Sequence, residues 1–92
     1  VVDLPVLDPL PRDALLEEVS EVGRVVIADE GYPRCGVAAD LAALVADRAI
    51  YDLTAPVKTV NALNAPIPAN VEHQNAVVPD AADIVGAVRT IA

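Results

Sequence analysis

The sequence predicts an α/β fold, a mainly parallel sheet with helices on both faces in three layers. Two observations lead there. Short β-branched runs alternate with segments of helical periodicity, in the order β-α-β-α-β-loop-α. The run Val25-Val26-Ile27-Ala28 is also apolar without interruption, as expected of a strand covered on both faces. Right-handed crossovers would carry each strand to the next.

The elements follow in order. Val1–Leu4 reads as a strand, ended by Pro5 and by Asp8-Pro9-Leu10-Pro11. A helix is expected from Arg12 to Val22. Leu15, Leu16, Val19 and Val22 share one face, and Glu17, Glu18 and Glu21 lie on the other. Pro11 suits its first turn, and Gly23 suits the left-handed position just beyond its end. Arg24–Asp29 is the clearest strand, and 30–36 is a loop. A long helix is expected from Gly36 to Tyr51. Val37, Leu41, Leu44 and Val45 form its apolar side, and Ala38, Ala42, Ala46 and Ala49 form a small-residue side. Such a helix should be covered on more than one side. Val57–Val60 is the third strand. Residues 61–79 form a long irregular loop of the kind that is usually functional or packed on a partner. Asp80 caps the last helix, with Asp83 in its first turn and Ile84, Val88 and Ile91 facing the core.

Composition narrows the function. The 92 residues suffice for one small domain, residues 1–92, yet 54% of them are apolar. That excess over the usual ~45–50% implies apolar surface buried against something else. There is no Met, so the chain does not begin at an initiator and is expected to be processed or part of something longer. The net charge is −8, with eleven acids against four Arg between Asp3 and Asp52. This excludes a nucleic-acid partner, which needs a basic patch, and fits a solvated acidic surface or a basic protein partner. No apolar run approaches a membrane span, and no signal peptide is evident. A single Cys fits a reducing cytoplasm.

Chemistry-bearing residues are few. In open parallel sheets ligands bind beyond the carboxyl ends of the strands, which singles out Asp29, Glu30, Gly31, Cys35 and Gly36. Four glycines in the chain, with Gly31 and Gly36 in neither phosphate-binding spacing, argue against a nucleotide. Adjacent Asp29 and Glu30 point to opposite sides and cannot act as a pair on one substrate. Glu30 is expected to accept from backbone N–H groups of its loop or from an Arg across an interface. Cys35 lies beside Arg34 near a helix start, which would favour a thiolate. A nucleophile also needs a base, and nothing brings His73 to it, so a buried apolar role is expected for Cys35. No ligand spacing suggests a metal.

The ordered residues resemble a known family. Val2-Asp3-Leu4 with Leu7-Asp8-Pro9-Leu10 looks like the turn after a strand in transketolase-like carboxyl-terminal domains. Gly23–Glu30 resembles the next strand and its acid. Pro33-Arg34-Cys35-Gly36-Val37 and the helix after it are similar to acetoin and pyruvate dehydrogenase beta subunits. Ala55–Val60, Ala65-Pro66-Ile67-Pro68, Val71-Glu72 and Val78-Pro79 complete the order. The sequence departs from the family pattern at Pro5, Pro11, Asn61–Asn64 and Ala69-Asn70.

The resemblance implies the carboxyl-terminal assembly portion of the beta subunit of a thiamine-diphosphate-dependent 2-oxo acid dehydrogenase of pyruvate, branched-chain or acetoin type. Thiamine diphosphate and magnesium would be bound by other domains, and this segment would carry no catalytic residue. It implies an alpha subunit and a second beta subunit as partners in a heterotetramer. In some complexes the domain also docks the basic subunit-binding domain of the acyltransferase core. Glu30, Arg34, Cys35, Gly36, Pro66, Pro68 and Glu72 are the interface candidates. The family's domain begins with two further strands and a helix, and one of those strands lies between the strands at Val1 and Arg24. The chain is therefore expected to be the later part of one such domain, lacking a central strand. A freestanding acidic α/β interaction module is the alternative.

Overall fold

A computed structural model describes residues 1–5, 9–62 and 78–92. The first helix, α1, spans Arg12–Val22, as its periodicity predicts. Pro11 is its N-cap and supplies no side-chain bond; its carbonyl accepts from the Leu15 N–H at 3.1 Å. Gly23 ends the helix at φ 78°, and its N–H donates to the Val19 carbonyl at 2.8 Å. This is the left-handed cap that glycine adopts without a Cβ penalty.

The strand β1 covers Val26–Ala28 and pairs in parallel with β2, Lys58–Val60, with Ile27 opposite Thr59. The Lys58 N–H donates to Val25 at 3.1 Å, and the Asp29 N–H donates to Val60 at 2.9 Å. Helix α2 spans Val37–Arg48, and Ala49 at φ −132° separates it from a 3-10 turn, Ile50–Asp52, so the helix expected from Gly36 to Tyr51 ends at Arg48. Helix α3 spans Ala81–Ile91 and opens with a full capping box: the Asp83 N–H donates to Asp80, and the Asp80 N–H donates to Asp83.

Helices α2 and α3 each contact both strands and do not contact one another. They therefore lie on opposite faces of the sheet, which makes the three layers. Helix α1 rests on α2 and the 3-10 turn rather than over the strands. The core cluster joins Val19 of α1 to Val45 and Ala49, with Leu16, Val25, Leu53 and Val57 packed around them. A two-stranded ribbon of three residues a side is marginal by itself, so this helix packing holds the pair. The end of α1 is tied to the connection before β2. The Thr54 N–H donates to Gly23 at 2.8 Å, and the Ser20 hydroxyl donates to Asp52 at 2.8 Å.

Four expectations are corrected. Val1–Leu4 forms no strand and pairs with nothing in the sheet, which has the order β1-β2 among the described residues. A strand needs an adjacent edge, and a cleft separates this segment from β1. For the same reason β1 is only partly covered: Val26 and Ile27 are half-buried and Ala28 is exposed. On α3, Ile91 is buried, but Ile84 and Val88 remain 37% and 47% exposed. The sheet beneath this helix is too narrow to cover its whole apolar stripe. On α2, Ala38, Leu41 and Val45 are buried, while Val37 and Ala46 are exposed.

Candidate functional site

Two places merit attention: the loop beyond the carboxyl ends of the strands, and the cleft beside β1. In the loop, the half-buried Asp29 carboxylate accepts from the Gly31 N–H at 3.1 Å. The Gly31 carbonyl accepts from the Ala62 N–H at 3.1 Å and from the Asn61 side-chain amide at 3.4 Å. The loops after the two strands are thus bonded to each other. Asp29, not Glu30, is the carboxylate that organises this turn, because its side chain can close a ring onto the amide two residues on. Glu30 is exposed.

Arg34 and Cys35 are also exposed, which corrects the expectation of a buried Cys35. Cys35 has φ 53°, the one positive φ outside glycine among the described residues. It stands in the turn just before α2, ahead of the first residue that the helix carries into the core. Gly36 is the N-cap of α2 in extended conformation. A Cβ there would stand 2.6 Å from the Tyr32 carbonyl oxygen, so glycine lets the loop fold back on itself. The loop therefore carries exposed Glu30, Arg34 and Cys35, with half-buried Gly36 at its end. Pro66, Pro68, Glu72 and His73 lie outside the described residues.

The cleft lies beside β1. It has a volume of about 550 Å³ and runs between Val1–Leu4 and β1. Leu15, Glu18, Val19 and Val22 line it from α1, and Val37, Ala38, Leu41 and Val45 line it from α2. On α1 these positions follow the three- and four-residue spacing of one helical face. Val22 is 65% exposed, which is unusual for the apolar stripe of a buried helix. The cleft floor is the side of β1 turned away from β2. Backbone polar groups alternate in direction along a strand. Since Val25 and Asp29 bond to β2, Val26 and Ala28 direct theirs to the open edge. Among the described residues, the cleft thus combines a strand edge that no strand pairs with walls that are apolar apart from Glu18 on α1.

The described residues do not fit thiamine diphosphate with magnesium. They contain no group of three or more His, Cys, Asp or Glu placed to hold a metal ion. The turn at Gly31 directs its carbonyl to Asn61 and Ala62 and its N–H to Asp29, which leaves that amide unavailable to a phosphate. Among the described residues, no helix is long and apolar enough to cross a membrane.

Comparison with known proteins accounts for this architecture. The chain is 39% identical over 89 residues to the beta subunit of acetoin:2,6-dichlorophenolindophenol oxidoreductase of Cupriavidus necator, covering 97% of this chain and 26% of that protein. It is 40% identical over 82 residues to the Bacillus subtilis protein of the same name, covering 87% of this chain and 24% of the relative. It is 34% identical over 91 residues to the pyruvate dehydrogenase E1 component subunit beta of Rickettsia bellii, covering 99% of this chain and 28% of the relative. The chain thus spans about a quarter of the length of these relatives. Residues 1–84 match the family described as "Transketolase, C-terminal domain". The parallel strands, the helices on both faces and this match together place the chain in the transketolase C-terminal domain family.

Proposed function

We propose that residues 1–92 are the carboxyl-terminal assembly portion of the beta subunit of a thiamine-diphosphate-dependent 2-oxo acid or acetoin dehydrogenase. In this reading they are the later part of a single domain. The cleft beside β1 carries the proposal, because it lies along a strand edge that no strand pairs among the described residues. Among the described residues, it offers an edge without a partner at Val26 and Ala28, with mainly apolar walls from α1 and α2. A strand from sequence outside these 92 residues fills it, consistent with relatives of roughly four times the length.

The portion makes contacts rather than chemistry. The relatives are named as beta subunits; the proposed partners are an alpha subunit and a second beta subunit. Glu30, Arg34, Cys35 and Gly36 of the loop after β1 are the proposed contact residues, the first three of them exposed, and Pro66, Pro68 and Glu72 belong to the same set by family resemblance. The net charge of −8 suits docking of a basic subunit-binding domain from an acyltransferase core. Thiamine diphosphate and magnesium are held by other domains of the parent enzyme, and the enzyme works in the cytoplasm.

The test uses the full parent protein, co-expressed with its candidate alpha subunit. Thiamine-diphosphate-dependent reduction of a dye is measured with pyruvate, branched-chain 2-oxo acids and acetoin. The expected result is a stable alpha–beta complex active on one of them. A parent that forms no such complex and reduces no dye with any of the three substrate types would overturn the assignment.

A further inference from the structure

We draw no further inference here: the strongest candidate, the apolar face of α3 formed by Ile84, Val85 and Val88, is exposed, but nothing in the structure shows what covers it.

Discussion

Gly23 holds a junction that no other residue type holds as well. Its φ is 78°, and a Cβ would stand 3.0 Å from the Asp52 carbonyl oxygen and 3.3 Å from the Thr54 methyl. Gly23→Ala meets both a backbone penalty and a close approach. We expect a loss of about 1–2 kcal/mol, read as a lower urea midpoint of the intact protein with an unchanged slope. A variant as stable as the parent would mean that this junction is not formed as described. Asp80 acts through a different cause, the orphan N–H groups of a helix start. Asp80→Ala removes the acceptor for the Asp83 N–H, now bonded at 2.9 Å. The expected cost is about 1 kcal/mol, with faster amide exchange confined to the first turn of α3. Uniform acceleration along all the helices would contradict a local cap.

At the scale of elements, the open edge of β1 gives the sharpest expectation. The Val26 and Ala28 amides direct their hydrogens into the cleft, whereas those of Ile27 and Asp29 point toward β2. In the intact protein a strand filling the cleft would protect all four. In the isolated 92-residue chain, Val26 and Ala28 should exchange faster than Ile27 and Asp29. Equal exchange rates in the isolated chain would show that the edge is paired within it. Val22 provides an independent probe, because it lines the cleft from α1 at 65% exposure. Val22→Asp should change the stability of the isolated chain by no more than about 0.5 kcal/mol, as at ordinary surface positions. In the intact protein the same change would bury an unpaired carboxylate and cost several kcal/mol. A small effect in both settings would argue that nothing fills the cleft.

At the scale of the whole molecule, the core formed by the described residues is small. Among the described residues, the buried apolar side chains number seven: Val19, Ala38, Leu41, Val45, Ala49, Ala62 and Ile91. Three of them are alanine, and Val45 is the largest side chain that is almost completely buried. A set this small offsets the conformational entropy of the described residues by no wide margin. We expect the isolated 92 residues to unfold at much lower urea than the same residues within the intact protein. A shallow, early transition for the isolated chain is the expected reading by circular dichroism. A steep transition at the intact protein's midpoint would mean that these residues are self-sufficient, and would count against a strand supplied from outside.

Local physics made much of this fold legible from the residues. Periodicity, Gly23 and the Asp80–Asp83 pair set the bounds of α1 and the start of α3, because a helix end is decided by the few groups that cap it. The apolar run at Val25–Ala28 likewise located β1, and the alternation of elements implied the parallel pairing. The sequence order of small motifs was also enough to point to the family that residues 1–84 match. Tertiary structure decided what depends on a neighbour. Val1–Leu4 has strand-forming residues, but an extended segment becomes a strand only beside another, and the cleft stands between it and β1. Cys35 has the character of a buried side chain, yet a left-handed turn before α2 leaves it exposed. Asp29 rather than Glu30 organises the loop, since which of two adjacent carboxylates meets a backbone amide depends on how the chain turns after β1. Burial and pairing are properties of what lies alongside, and that is not written in a residue's own neighbours along the chain.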